Sequence, residues 1–336
     1  MERLISLSRP HQLADFPASG VLADFAPDQL ARNGADQVLL VVDEHRQALG
    51  RCSLWWSNTP PYGSERLGYI GQYAASGRAA SDLLLRAACR HLADQGCTLA
   101  VGPIDGNTWH SYRFVTDPGN RPPFFMEPVN PPAWPQYWNE GGFKPLAGYT
   151  SAINSDLGNS ARDFPRTNKR YAALGIKVRH LQMACYEKEL RNIYRISACA
   201  FTNNFLYTPI AENEFVDLYA PIKAYIRPEM ALLAEDQQGP LAFLFAVPDI
   251  LQQERGEAID TAIIKTIAVM PSRKTQGLGA FLAAKAMFIY HELGYRHCIH
   301  ALMHEHNASQ NVSRHQLKVQ TIRRYSLFAK PLGAGT

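Results

Sequence analysis

TIAVMPSRKTQGLGAFL, Thr266 to Leu282, runs from apolar, strand-forming residues through Pro271 into a polar turn with two glycines, then straight into apolar residues at helical spacing. Gly277 and Gly279 stand where the helix should start, so the backbone there can approach another group with no side chain in the way. A helix start also offers unpaired N–H donors and the positive end of the macrodipole, which together suit a phosphate. The stretch reads as an anion cradle. Its strand is AIIKTIAV (262–269), and its helix carries Leu278, Leu282, Ala286, Ile289 and Leu293 on one face before stopping at Gly294.

Outward from this turn the same order of elements occurs twice. In the second half, IKVRHL (176–181) reads as a strand, a helix is expected from about Tyr186 to Phe201, and a second covers Glu212 to Ala224 with a break at Pro221. EMALLAED and PLAFLFAVPD make a strand hairpin, HCIHALM follows the glycine-turn helix as a strand, and RRYSLFAK closes the chain as another. In the first half, QVLLVVD, ALGRCSLWW and RLGYIGQYAA read as strands, 79–96 as a helix ending at Gly96, and TLAVGPID as a buried strand. The aromatic and proline-rich segment 107–135 reads as a long ordered loop. A mixed α/β sheet with helices on both faces follows. The expected division is a first domain over 1–155, a polar linker over 156–175 and a second domain over 176–336.

Composition agrees with two cores. At 336 residues the chain exceeds one average domain, since domains cluster at roughly 100 to 200 residues. Its 46% hydrophobic and 19% charged residues are the balance of a folded enzyme rather than a disordered chain. A net charge of +4 is too small to argue for nucleic acid or an anionic membrane as partner. The six cysteines lie far apart with no C-x-x-C pair, and MERLISLSRPHQL lacks the apolar run of a signal peptide, so reduced thiols and a cytoplasmic location are expected.

The second half resembles the GNAT N-acetyltransferase superfamily, whose signature is a strand ending V-x-P and a [Q/R]-x-x-G-x-[G/A] loop opening a helix. Here Val269, Met270 and Pro271 precede Lys274, Thr275, Gln276, Gly277, Leu278 and Gly279, with Lys274 in the place usually held by Gln or Arg. The first half has AASGRAASD at the equivalent place, where a single Gly77 beside Arg78 cannot supply the same run of exposed amides, and resembles a degenerate repeat. The resemblance thus implies two GNAT-like acyl-CoA N-acyltransferase domains in tandem, the first shaping the acceptor side or serving structure. It implies acetyl-CoA or another acyl-CoA as co-substrate, held by Lys274, Thr275, Gln276, Gly277, Leu278, Gly279 and Ala280 at the pyrophosphate and by the main chain of Ile267, Ala268 and Val269 along the pantetheine arm. Transfer of the acyl group to a primary amine by direct attack follows from it, the acceptor being a small molecule or a protein.

The catalytic groups are less legible. Relatives carry N-x-x-A-x-x-x-Y after the next strand, with the tyrosine donating a proton to the thiolate. Asn307 matches the asparagine, but Gln310 and Arg314 replace the alanine and tyrosine, which leaves Ser313, His315 and Tyr325 as candidate donors. No carboxylate follows Asp260 on the strand, so a water chain or a residue of the first domain is the expected base. His300, His304 and His306 would share one face of a regular strand, where His304 or His306 suits a base or acceptor contact; no metal is expected, because no cysteine or carboxylate completes a set. Arg113 and Glu127 in the aromatic loop, and Tyr207 and Glu214 between the two helices, are candidate acceptor-binding residues. Two rival readings are a non-catalytic acyl-CoA-binding or regulatory protein, favoured by the missing tyrosine, and an aminoacyl- or peptidyl-type transferase using charged tRNA, disfavoured by the mild charge.

Overall fold

The structure is a computed structural model and describes residues 2–7, 10–22, 33–161, 164–272, 274–306 and 319–333. Their strands are β1 (Arg3–Leu7), β2 (Gln37–Val42), β3 (Ala48–Trp55), β4 (Leu67–Ala75), β5 (Leu99–Gly102), β6 (Phe114–Asp117), β7 (Lys144–Asn154), β8 (Lys177–His180), β9 (Leu232–Asp236), β10 (Gly239–Pro248), β11 (Thr261–Val269), β12 (His297–His304) and β13 (Val319–Pro331). The α-helices are α1 (Arg78–Asp94), α2 (Ala133–Glu140), α3 (Leu157–Ser160), α4 (Phe164–Ala173), α5 (Tyr186–Ala200), α6 (Glu212–Tyr219), α7 (Leu251–Glu254) and α8 (Leu278–Glu292). The mixed α/β reading holds, and the α6 helix gives way to a 3₁₀ turn over Ala220–Tyr225 around Pro221. The loop expected over 107–135 contains the short strand β6.

All thirteen strands belong to one sheet, in the order β1-β2-β3-β4-β5-β13-β7-β12-β11-β10-β9-β8, with β6 pairing β13. Read from either end, each half runs through antiparallel strands to a parallel pair, β4/β5 in one and β11/β12 in the other. Each parallel pair is joined by a crossover helix, α1 or α8. Both helices end in the same turn: Gly96 and Gly294 take positive φ, Cys97 N–H donates to Leu92 O at 3.0 Å, and Tyr295 N–H to Tyr290 O at 2.9 Å. Because β4 and β11 run oppositely, two right-handed crossovers place α1 and α8 on the same face of the sheet.

The halves meet by exchanging strands. β13, the last strand of the chain, lies against β5 of the first half, and β7 of the first half lies against β12 of the second. Phe328 of β13 accordingly packs with Leu84, Leu92 and Trp138 in the core under α1. The polar stretch 156–175 carries α3 and α4, whose Leu157 and Tyr171 are buried against Phe281 and Leu282 of α8. On the opposite face, α5 and α6 cover β10 and β11 through Leu190, Ile193, Phe215 and Phe243.

Candidate functional site

The parallel pairing of β11 and β12 runs from Thr261 opposite His297 to Ile264 opposite His300 and then stops. Two bulges end it. On β11, Thr266 faces Phe245 and Ile264 faces Ala246, so Lys265 is the extra residue. On β12, the register against β7 shifts between His300 and Met303 around Leu302, whose φ is +60° and whose N–H donates to Ser151 Oγ at 3.0 Å. Beyond these bulges Lys265–Val269 pairs only with β10 and Ala301–His304 only with β7 among the described residues, which opens a wedge between two free strand edges. The bulge on β12 also corrects the expected histidine face: His300 and His304 point to opposite sides of the sheet, and the described residues hold no cluster of three potential metal ligands.

The glycine turn lies at the open end of the wedge. Gly277 caps α8 with φ +81°, and a Cβ there would stand 3.1 Å from the Tyr171 hydroxyl. That hydroxyl donates to Gln276 O at 3.0 Å. Thr275, buried beneath the turn, donates through Oγ1 to Met270 O at 2.6 Å, and its own carbonyl accepts Leu278 N–H at 2.9 Å. The amides of Gly279 and Ala280 have no acceptor among the described residues, as a helix N-terminus requires. Ile267 and Val269 turn their side chains toward α8, which leaves their main chain as the wall of the wedge. Lys274, expected at the pyrophosphate, is instead paired: its Nζ is 2.5 Å from Oδ2 of Asp236 at the end of β9, and it lowers the pKa of that carboxyl.

The closed end is polar. Lys265 Nζ donates to Met126 O at 2.8 Å, and burial together with the nearby Arg113 brings its pKa down to about 7. Behind it, the buried Glu127 carboxylate accepts Arg323 Nε at 2.8 Å and Nη2 at 3.1 Å and also accepts the Tyr325 hydroxyl. Tyr325 and Ser151 hydroxyls are 3.0 Å apart, which links this network to the bulge at Leu302. Arg323 further donates to the carbonyls of Pro118, Arg121 and Pro122 and thereby shapes the loop that brings Glu127 in. Arg113 stacks on Tyr149 with 4.3 Å to the ring centre, and His304 meets the same ring at 4.9 Å. The fold thus collects Arg113, Glu127, His304 and Tyr325 around the wedge. Tyr207 lies farther out against Trp109, and Glu214 near His110. Asn307, Ser313 and His315 lie outside the described residues.

Lys265, Ser151 and Arg323 were not singled out from the sequence. Lys265 had a signal, being the one charge inside AIIKTIAV; Ser151 and Arg323 acquire their roles only through partners distant in the chain.

Next to the wedge, between α5, α6 and the sheet, lies a small, partly open cavity. Phe243 and Phe245 of β10, Thr266 of β11 and Ile193 of α5 line it. Trp109 of the first half lines its side and donates from Nε1 to Thr208 O at 2.8 Å.

The equivalent wedge of the first half is closed. After β5 the chain folds back over β4: Ile104 N–H donates to Ile70 O at 3.0 Å, and Asp105 Oδ1 accepts Gln72 N–H at 2.5 Å. Only Ser76 and Gly77 separate β4 from α1, against eight residues between β11 and α8. A side chain at Gly71 would collide with the Ile104 carbonyl, so this crossing depends on glycine. Two crossover units, one open at a glycine turn and one plugged, therefore share a sheet.

This is the tandem GCN5-related N-acetyltransferase fold. A tandem GNAT protein from the clavulanic acid biosynthesis pathway covers the whole of this chain, and is itself covered whole, with a TM-score of 0.52 and 10% identity. A GCN5-related N-acetyltransferase from Anabaena variabilis ATCC 29413 matches 98% of the chain and 73% of its own length, with a TM-score of 0.55 and 8% identity. The chain is also similar to a bacterial ceramide synthase from Caulobacter vibrioides, 26% identical over 234 residues, or 67% of this chain. The match spans 60% of that relative's length. No family model matches the chain.

Proposed function

We propose that the protein is an acyl-CoA-dependent N-acyltransferase that joins an acyl group to a primary amine by direct attack. The observation that carries this reading is the wedge between Lys265–Val269 and Ala301–His304, open along free main-chain edges and ending at the glycine turn of α8. These residues fit the ligand: the free edge suits the amide-bearing pantetheine arm as an added strand, and the Gly279 and Ala280 amides suit the pyrophosphate. Lys274 contributes less charge than its position promises, since Asp236 engages it. Acyl-CoA, when bound, supplies the activated carbonyl.

The chain's own residues then orient the amine and move one proton. Lys265, with a pKa near neutral at the closed end, is the group best placed to hold the proton that the amine releases. Of the proposed proton donors to the thiolate, Tyr325 is already engaged by Glu127 and Ser151, which favours Ser313 or His315. Similarity to a ceramide synthase supports an amine acceptor, because a ceramide is an N-acylated long-chain amine.

Calorimetric titration with CoA, acetyl-CoA and palmitoyl-CoA tests the donor side. Binding is expected for the wild type and its loss in Gly277→Glu, which fills the turn with bulk and negative charge; no binding by the wild type would remove the proposal. A thiol-release screen over short and long primary amines then tests transfer, and binding without release with any amine would turn the reading to a regulatory acyl-CoA-binding protein. Single replacements of Ser313, His315 and Tyr325 identify the donor by a fall in kcat at unchanged CoA affinity.

A further inference from the structure

We propose that the cavity between α5, α6 and the sheet is a binding site for one substrate hydrocarbon chain. The inference rests on the acyltransferase reading and adds the class of substrate. Its lining is aliphatic and aromatic, with no charged side chain; Ser197 and Thr266 are the small polar exceptions. The polar tips of two of its aromatics are used elsewhere, Tyr186 donating to Tyr219 O at 3.0 Å and Trp109 to Thr208 O. Apart from the Tyr219, Ser197 and Thr266 hydroxyls, the rest of the lining is ring and alkyl surface. Such a space gains from an apolar occupant, because each methylene taken from water is favourable and a polar group entering would leave its own hydrogen bonds unmade.

Position makes this chain a substrate's. Thr266 belongs both to the lining and to the free edge of β11, one residue from Lys265, so a chain lodged here would extend from groups reacting in the wedge. Trp109 reaches across from the first half and packs edge-on against Phe215 at 5.5 Å, so the plugged repeat supplies part of the wall. A hydrocarbon chain could arrive on the acyl donor or on the amine.

The test is a pair of chain-length series at submicellar concentrations on the full chain. Binding of 1-alkylamines from butylamine to dodecylamine is measured by calorimetry, and so is binding of acyl-CoAs from acetyl to dodecanoyl. Affinity is expected to rise in one series, by up to about fourfold per methylene that becomes fully buried, and the rising series names the substrate that carries the chain. Ile193→Trp, which fills the space, is expected to flatten the rise by at least tenfold at the longest chain; Leu190→Phe gives a second, milder filling should the first variant fail to fold. Flat affinities in both series, or a rise that neither filled variant alters, would overturn the proposal. Failure of the acyltransferase reading is distinct: it appears as no affinity for CoA itself, whatever the alkylamine series shows.

Discussion

The Tyr171 hydroxyl donates to the Gln276 carbonyl at 3.0 Å, so α4, between the two halves of the chain, holds the turn at the mouth of the wedge. Tyr171→Phe keeps the ring against Phe281 and removes only this bond, worth about 1 kcal/mol. Affinity for CoA is expected to fall by roughly fivefold, that energy converted to a binding ratio, with little change in fold. Calorimetry decides it, and unchanged affinity would mean that Thr275 alone sets the turn.

Glu127 and Arg323 form an ion pair with both side chains almost fully buried, 1% and 3% exposed respectively. Arg323→Met would strand the carboxylate, and a loss of about 3–5 kcal/mol is expected in chemical denaturation. Glu127→Gln combined with Arg323→Met should be more stable than Arg323→Met alone, because no bare charge remains. Equal stabilities would show that the carbonyl bonds of Arg323, rather than its pairing, matter most.

Lys265 titrates at about 7 in the folded chain against a usual 10.5. Between those values the unfolded chain holds the extra proton, so this group makes stability rise with pH across that window, and its cost is fully present below it. Lys265→Met removes the contribution. The stability of the variant relative to wild type should be highest near pH 6 and shrink steadily toward pH 10. Denaturation midpoints at four or five pH values would reveal a flat difference if the ammonium were well solvated.

Asp105 works in the opposite sense. Burial raises its pKa from 3.8 to about 6, so the folded chain holds the extra proton between those values and stability falls as pH climbs through about 6. Asp105→Asn keeps an acceptor for Gln72 N–H and should gain on the wild type above pH 6 but not at pH 4. The same plug predicts a single CoA per chain, and a calorimetric stoichiometry of two would contradict it.

Much of this was legible in the sequence because it is periodic or locally punctuated. The run of β-branched residues into Pro271, the glycines that end α1 and α8, and the lone Gly77 before α1 are each written within a few neighbouring positions. Arg113 and Glu127 were legible as polar exceptions in an aromatic loop. Their surroundings were not, because Glu127 finds Arg323 across 196 residues and no local pattern records that meeting. The three-histidine face failed for a physical reason: a single extra residue at Leu302 reverses the alternation on which a strand reading rests. The exchange of β7 and β13 was equally invisible, since an apolar strand alternates in the same way whichever neighbours it has. The cavity escaped because its aromatic and aliphatic lining is also what ordinary packing uses.

The position of β13 sets a timetable for the nascent chain. The first half leaves the ribosome with a vacancy beside β5 that β13 fills more than 200 residues later, and β7 waits about 150 residues for its partner β12. Neither half can mature as a separate unit during synthesis. The late closure of so distant a pairing slows assembly and leaves strand edges uncovered until β13 is made.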